Sequence, residues 1–352
     1  MSEPVGNDVL TSHPVSKTHR AGIGAVAIGR NEGERLKRCL ASLSVGNAAV
    51  VYVDSGSDDG SPEWARAQAA EVVELDLGVP FTAARARNAG FRRLREVAPA
   101  LAFVQFVDGD CEISEGWQQA ALAFMDKHPD VAAVAGRLRE RAPGKSIYNW
   151  LCDHEWDGPA GEVRACGGIV VVRAIALDDV RGFRDDLIAG EEPELCVRLR
   201  AKGWRIWRLD AEMALHDADM TRFSQWWRRA TRAGYAFAQG AHLHGAPPER
   251  HWVWESRRAR LWGVWLPLAC LACSVLLWPW GAAAWLIYPA QVLRQTVRNA
   301  GSLAERATLA LFQVLARFPE GLGQIKFLRD RLLGRTARLI EYKRPSAPGR
   351  RR

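Results

Sequence analysis

Short apolar stretches alternate with helix-forming stretches over the first third of the chain, and this alternation limits the possible folds more than any other feature. Apolar runs end at Ile28, Val53 and Val107, and segments with the spacing of a helix separate them. In the first such segment, leucines and a cysteine recur every three or four residues between 36 and 43, as on one helix face. Strands and helices in this order predict an α/β fold, a mainly parallel sheet with helices on both faces.

Each of these three apolar runs is followed at once by polar residues, in the clusters 30–32, 54–56 and 108–110. In parallel sheets of this kind, ligands bind at the carboxyl ends of the strands, so the three clusters are expected along one edge. Asp108 and Asp110 would repel each other there unless a cation offset their charge. Mg²⁺ or Mn²⁺ would do so, because Mg²⁺ is typically held by one or two carboxylates together with substrate phosphates. The sequence therefore favours a divalent cation beside a diphosphate.

Six short motifs occur in the order found in family 2 glycosyltransferases of the GT-A fold: AIGRNE, VDSGSDDGS, ARARNAG, FVDGD, GGIVVVRA and GEEPELCVRLRAKGW. The chain resembles this family over residues 22–220, and the ordered set is more specific than any single motif. The resemblance implies a Rossmann-like GT-A sheet that is mixed but mainly parallel, a nucleotide-sugar donor, with a UDP-sugar favoured, and Mn²⁺ or Mg²⁺. It also implies transfer of the sugar to an acceptor hydroxyl with inversion at the anomeric carbon.

The same resemblance assigns donor-binding roles to residues at the strand ends and on the third helix. Asp54 would hydrogen-bond the base edge, while Asn31 and Glu32 would line the nucleoside pocket. Arg87 and Asn88 would lie near the nucleotide, whereas the other arginines of that helix are expected to be solvated. The full donor-binding set is Arg30, Asn31, Glu32, Asp54, Ser55, Arg87, Asn88, Asp108 and Gly109.

In related enzymes the metal environment includes the aspartates of the D-x-D motif and a later histidine. By this resemblance the metal-site residues are Asp108, Asp110 and His216, with Asp110 a direct ligand. Neutral imidazole is a plausible further ligand for Mn²⁺, although a single histidine also fits a structural role. The stretch 205–216, which ends in this histidine, predicts a pair of strands.

The acceptor side requires a general base, and the family pattern Gly-Glu-Asp-x-Glu-Leu places an aspartate there. This chain has Glu192 at that position. Its carboxylate would take the proton from an acceptor hydroxyl as the oxygen attacks the sugar. Glu191 is the second candidate, because the side chain of Glu192 is one methylene longer than the family's aspartate. Glu194 fits a helix N-terminus, where acidic residues are favourable in any case.

Two functions besides a glycosyltransferase of the hexosyltransferase type stay open at this point. The glutamate at position 192 leaves room for a GT-A-like membrane protein that binds a nucleotide sugar without catalytic activity. A nucleotidyltransferase could share the sheet and the acidic metal site. The sequence has no early glycine-rich loop with a lysine to hold phosphates, which counts against that function.

Residues 221–256 predict a basic, aromatic amphipathic helix that lies on a bilayer surface. The alternative is a helix that packs against the catalytic domain through its tryptophans. The Gln-x-x-Arg-Trp motif of processive family members is only partly echoed at 224–229, which favours addition of a single sugar.

The stretch 261–293 contains no charged residue. One helix of this length would exceed a bilayer core of about 30 Å, and two full spans of about 20 residues do not fit. Pro279 and Gly281 interrupt the stretch, so residues 257–298 predict a membrane-associated helical hairpin or re-entrant pair. Arginines flank both ends, which favours the inner membrane with the catalytic domain in the cytoplasm. A buried hairpin of a soluble protein is the alternative.

The remaining composition fits this organisation. Residues 1–20 lack an apolar signal segment and predict a flexible tail, residues 21–220 the catalytic domain, and residues 299–352 a basic amphipathic region and tail. The net charge of +8 favours anionic partners. The expected partners are a nucleotide sugar, a lipid or saccharide acceptor and a membrane. Nucleic acid is not expected, because no base-reading motif accompanies the basic tail. Seven scattered cysteines favour a reducing compartment.

Overall fold

The computed structural model describes residues 22–44, 46–68 and 70–335 of the chain. The predicted tail at residues 1–20 and the basic end beyond residue 335 lie outside these described residues. Within them, nine strands form one sheet: β1 (Ile23–Gly29), β2 (Val50–Asp54), β3 (Glu71–Glu74), β4 (Phe103–Asp108), β5 (Cys111–Ile113), β6 (Val131–Glu140), β7 (Gly161–Glu162), β8 (Val170–Arg173) and β9 (Arg205–His216).

Helices cover this sheet and continue beyond it toward the end of the described chain. They are α1 (Glu34–Leu43), α2 (Ser61–Ala67), α3 (Ala83–Val97), α4 (Trp117–Lys127), α5 (Ile147–Glu155), α6 (Ala174–Asp179), α7 (Glu191–Ala201), α8 (Phe223–His244), α9 (Val253–Arg260), α10 (Leu266–Leu276), α11 (Ile287–Arg298), α12 (Leu303–Leu315) and α13 (Arg317–Leu332). Shorter helical turns are Pro143–Lys145 and Trp280–Leu286, both 3₁₀, and Leu261–Trp265, which is π-helical.

The sheet is mixed, as the resemblance predicted, and its parallel half carries the predicted site. The strands lie in the order β3-β2-β1-β4-β8-β6-β9-β5, with β7 beside β9. Strand β1 pairs in parallel with β2 and β4, whereas β8 is antiparallel to both β4 and β6. The register sets Gly29 opposite Asp54 and Ile28 opposite Asp108. The polar residues that follow β1, β2 and β4 therefore meet at one edge.

Both faces of β1, β2 and β4 are buried, because alternate side chains contact helices on opposite sides of the sheet. Val26 and Val53 belong to one apolar cluster, and Ala27 and Tyr52 belong to the other. Helix α3 approaches the sheet closely at Gly90, where a methyl group would come within 2.3 Å of Val26. This contact fixes the helix whose first turns carry predicted donor-binding residues.

The prediction of two strands over 205–216 is wrong, since the structure has the single strand β9. This strand pairs in parallel with β6 and antiparallel with β5 and β7. Its register against β6 shifts near residues 209–211, which form a β-bulge. The polar residues Asp210 and Glu212 lie in and beside that bulge. Beyond it the strand continues to His216, which lies opposite Cys111 of β5.

Helix α8 packs against protein through its tryptophans, which is the alternative stated above for residues 221–256. Trp226 is only 7% exposed, and its ring packs edge-on against Phe312 with centroids 5.1 Å apart. Helix α13 crosses α8 so closely that a methyl group on Gly234 would lie 2.1 Å from the carbonyl oxygen of Glu320. The buried side of α8 is therefore occupied by protein rather than by lipid.

The apolar stretch turns back on itself at residues 277–279, close to the predicted interruption. Helices α9 and α10 join through the π-helical turn into one helix, Val253–Leu276. Among the described residues, this is the one helix that is long and apolar enough to cross a membrane. The returning segment lies against it, since the indole of Trp285 donates a hydrogen bond to the Ser274 hydroxyl at 3.1 Å.

Large apolar side chains around this turn are exposed on the described structure. Trp280, for example, is 85% exposed. The exposed apolar side chains of the hairpin include Leu268, Leu271, Val275, Leu276, Leu277, Trp278, Trp280 and Leu286. A contiguous apolar surface of this kind marks a membrane or protein interface.

Gly234→Ala tests the crossing of α8 and α13. The added methyl group would overlap the backbone of α13, and overpacking of this kind costs about 1–3 kcal/mol. We expect the overlap to outweigh the gain in helix propensity of up to about 1 kcal/mol, so thermal unfolding in detergent should show a lower midpoint than for the wild type. Gly144→Ala is the control, because a methyl group there meets nothing within 4 Å. Equal midpoints for the two variants would contradict the close crossing.

Candidate active site

A cavity of about 680 Å³ opens between the edge of the sheet and helix α8. This volume falls within the range of roughly 300–1,000 Å³ that is usual for small-molecule sites. The predicted site residues that line it are Arg30, Asn31, Glu32, Ser55, Arg87, Asp108, Glu191, Glu192 and His216. The others, Asp54, Asn88, Gly109 and Asp110, do not line it. The cavity thus joins the ends of β1, β2 and β4 with the first turn of α7.

Asp54 organises the loop after β2. Its carboxylate accepts hydrogen bonds from the Tyr52 hydroxyl and from the backbone N–H groups of Gly56 and Ser57, each at 2.8 Å. Burial and the charge of Asp54 raise the pKa of Tyr52, so its hydroxyl stays a donor. The Ser57 hydroxyl oxygen in turn accepts from the backbone N–H of Asn31 at 2.9 Å. Hydrogen bonds therefore join the loops after β1 and β2 on the predicted donor side.

Asn31 holds the sharp turn that follows β1. Its backbone has a φ of 56°, in the left-handed region that asparagine tolerates better than most residues. The preceding residue, Arg30, places its guanidinium 4.9 Å from the centroid of the Phe81 ring. Phe81 and its neighbour Thr82 line the cavity and were not predicted, since the sequence carries no motif at this position. A cation over an aromatic ring therefore borders the donor side.

Asn88 binds a neighbouring segment of the protein rather than the cavity. Its amide donates to the carbonyl of Phe183 at 2.8 Å and to the carboxylate of Asp185 at 2.7 Å, and its oxygen accepts from the Phe183 N–H. These bonds fix the segment that leads into α7. Asn88 therefore lies behind the residues that line the cavity and is not part of its lining.

Arg87 is a buried charge shared by the two sides of the cavity. Its side chain is 2% exposed and contacts three carboxylates, those of Asp108 at 2.9 Å, Glu191 at 2.9 Å and Glu192 at 2.7 Å. Burial lowers the pKa of Arg87, but the three carboxylates raise it by more, so the guanidinium stays charged. One guanidinium among three carboxylates leaves an excess of negative charge, and the charges of Glu191 and Asp108 raise the pKa of Glu192.

Glu192 has the protonation behaviour of a base that works near neutral pH. Burial raises its pKa to about 7, although the nearby guanidinium of Arg87 lowers it. A general base is most effective when its pKa lies near the working pH. Glu192 occupies the second position of α7, after Gly190, so its ionised form benefits from the helix N-terminus.

Asp110, Cys111 and His216 bring three possible metal-ligand atoms within 4.8 Å of one another, and all three residues are buried. The pairing of β5 with β9 creates this group, in which His216 Nε2 lies 3.3 Å from Asp110 Oδ2. A carboxylate oxygen with an imidazole nitrogen suits Mn²⁺, so the residues present fit such an ion. Asp108 lies outside this group and pairs with Arg87 instead.

The wall of the cavity opposite the sheet was not predicted from the sequence. It is formed by residues of α8 and by one residue before α9, namely Arg229, Arg232, Ala233, Ala236, Phe237 and Trp252. Arg229 also forms a two-point ion pair with Glu155 of α5. The helical spacing of these residues is visible in the sequence, but it fits a bilayer-facing helix equally well.

Residues 26–153 match the sequence model of the family described as glycosyl transferase family 2. Proteins named pre-mycofactocin glycosyltransferase, from two strains of Mycobacterium tuberculosis, are each 27% identical over 254 residues. These matches cover 67% of this chain and 52% of each relative. The chain therefore spans about half the length of the curated relatives it matches.

A mannosyltransferase from Pyrobaculum calidifontis, solved in complex with GDP-Man and Mn²⁺, superimposes on this chain with a TM-score of 0.56. The two are 21% identical, and the match covers 89% of each. The likeness identifies the fold, and the family match agrees with the order of motifs in the sequence, so the resemblance stated above is confirmed. Residues 26–153 therefore match the family 2 glycosyltransferases, and the chain has the GT-A fold.

Proposed function

We propose that this chain transfers a sugar from a nucleotide-sugar donor to an acceptor hydroxyl, with inversion, in a reaction that depends on a divalent cation. The observation that carries the proposal is that the loops after β1 and β2 line the same cavity as Glu192. The relatives are glycosyltransferases by name, and the solved relative holds GDP-Man and Mn²⁺. These properties support a nucleotide sugar and a divalent cation here, while a UDP-sugar stays the prediction for the donor.

The residues divide the reaction between two ends of the cavity. At the donor end, Arg30 and the loop that contains Ser55 would hold the nucleotide. At the acceptor end, Glu192 would accept the proton of the acceptor hydroxyl. The hydroxyl oxygen would bond to the anomeric carbon of the sugar as the bond between that carbon and the diphosphate breaks. When bound, a divalent cation would supply positive charge beside the leaving diphosphate. Asp110 and His216 would hold that cation.

Turnover of nucleotide sugars tests the proposed function directly. The purified chain is incubated with UDP-sugars and GDP-sugars, Mn²⁺ and a membrane lipid extract, and release of the nucleoside diphosphate is measured. We expect release with at least one donor and transfer of labelled sugar to an acceptor in the extract. Binding of a nucleotide without release from any donor would favour the inactive binding protein instead.

The pH dependence of turnover should report the ionisation of Glu192. Because burial raises its pKa to about 7, the ionised base is populated above that value and lost below it. We therefore expect kcat/KM to rise with pH up to about 7 and then to level off, until another group titrates. A profile that is already flat between pH 5 and 7 would exclude this residue as the base.

Glu192→Gln removes the base while preserving the size of the side chain. General base catalysis typically contributes about 10²–10⁴-fold, so kcat should fall by a factor in this range. Glu115→Gln, at an exposed position outside the cavity, is the charge-matched control and should keep wild-type turnover. The parallel variant Glu191→Gln decides between the two predicted bases, because the true base shows the larger loss.

His216→Ala tests the proposed metal ligands without relying on turnover. Titration of Mn²⁺ in the presence of UDP, followed by electron paramagnetic resonance, gives the affinity for the ion. Loss of a supporting residue typically costs about 10–100-fold in metal affinity, and loss of a ligand should cost at least as much. We expect a comparable loss for Asp110→Ala. The exposed His154→Ala serves as control, and equal affinity in all variants would remove this metal site.

We further propose that the chain acts at a membrane surface, where a lipid-linked acceptor is available. The exposed apolar side chains of the hairpin support this location. Exposed arginines flank its uncharged stretch 261–293, with Arg257 and Arg260 before it and Arg294 and Arg298 after it. Positive charge at both ends favours the cytoplasmic face of the inner membrane, where both ends contact anionic headgroups.

A double variant, Leu276→Glu with Trp280→Glu, tests this location. Both side chains are more than three-quarters exposed, so the change should leave the fold intact while placing charge in the apolar surface. We expect less flotation with vesicles that contain phosphatidylglycerol. Ile175→Glu is the control, because this isoleucine is exposed on α6 of the catalytic domain. Equal flotation of the two proteins would contradict insertion of the hairpin.

A further inference from the structure

We infer that Arg87 is a positioning residue for the transfer reaction. It holds the carboxylate of Glu192 on the acceptor side and that of Asp108 on the donor side as one unit. The inference rests on the proposed role of Glu192 as general base. It differs from the prediction made from the sequence, in which Arg87 binds the nucleotide itself.

The two ends of the guanidinium contact different elements of the fold. Nη2 lies 2.9 Å from Asp108 at the end of β4, while Nη1 lies 2.9 Å from Glu191 and 2.7 Å from Glu192 on the first turn of α7. Because the guanidinium is planar and rigid, its two ends keep a fixed separation. The position of the base is therefore tied to the position of the donor-side aspartate.

Arg87 has little freedom to leave this position. Its side chain is 2% exposed, and its guanidinium lies 5.7 Å from the centroid of the Phe183 ring. The close approach of α3 to β1 at Gly90 fixes the backbone one turn later. A nucleotide phosphate would have to compete with three carboxylates for this guanidinium, so direct binding of the nucleotide is the less favourable role.

Gly168, on the loop before β8, leaves room for this arrangement. A methyl group there would lie 2.3 Å from Arg87 Nη2 and 2.8 Å from Glu192 Oε1. At Gly167, one residue earlier, a methyl group would meet nothing within 4 Å. The two glycines form a matched pair, since the same change disturbs the contact between Arg87 and Glu192 at one position and spares it at the other.

The experiment compares the wild type with four full-length variants, Arg87→Lys, Gly168→Ala, Gly167→Ala and Arg93→Met. Arg93 lies on the exposed side of α3 and pairs with surface glutamates, so it controls for loss of an arginine from this helix. Circular dichroism checks the fold. If Arg87→Lys fails to fold, Gly168→Ala still decides the question, because it keeps every buried charge.

Three measurements are made on each folded protein. Nucleotide release gives kcat and the donor KM, and calorimetry gives the Kd of UDP, or of GDP if the donor is a GDP-sugar. The pH dependence of kcat/KM gives the ionisation of the base. The kcat and the pH dependence report the geometry of Glu192, whereas the Kd reports the nucleotide site alone.

We expect Gly168→Ala and Arg87→Lys to lower kcat by about 10²-fold with little change in KM and Kd, since a misplacement of about 1 Å has an effect of this size. Gly167→Ala should lose less, and Arg93→Met should match the wild type. In Arg87→Lys the acid limb of the pH profile should move to higher pH. The lysine ammonium contacts fewer carboxylates than the guanidinium, so it lowers the pKa of Glu192 less. A purely structural role would not move that limb.

Two results would overturn the inference while the proposed function stands. One is an active wild type with equal kcat for Gly168→Ala and Gly167→Ala. The other is an Arg87→Lys variant that keeps kcat but has a raised KM and Kd, which would show that Arg87 binds the nucleotide. No turnover by the wild type with any donor would instead refute the proposed function, and the inference with it.

Discussion

The parallel pairing of β1 with β2 and β4 is the constraint on which the rest of the structure depends. Its register sets Gly29 beside Asp54 and Ile28 beside Asp108, so the polar loops that follow these strands must meet. Helices on both faces then fix the strands, and the side of the sheet on which α3 lies determines where Arg87 is buried. The arrangement of the cavity is thus a consequence of backbone hydrogen bonds within the sheet.

Local patterns in the sequence were sufficient to predict the parallel strands, the edge at which their polar residues meet and the interruption of the apolar hairpin. The reason is that each of these features is encoded within a few neighbouring residues. The partners of the polar side chains were not predictable in this way. Asn88 binds the segment before α7, and Asp108 pairs with Arg87. These contacts join residues up to about a hundred positions apart.

The predictions for β9 and α8 failed for a related reason, since distant parts of the chain decide the structure of both. The stretch 205–216 was predicted as two strands, yet it forms the single strand β9 with a bulge in its pairing with β6. The basic and aromatic pattern of α8 fits a bilayer as well as it fits a protein environment. Its buried Trp226 and its close crossing with α13 are decided by helices that begin some eighty residues later.

The glycine contacts of α13 connect the wall of the cavity with the apolar hairpin. The same helix meets α8 at Gly234 and the start of the apolar hairpin at Gly263, in both cases backbone against backbone. The wall of the cavity and the hairpin are therefore joined without a flexible linker. A bilayer that holds the hairpin would keep the reaction centre at a set height above the lipid headgroups.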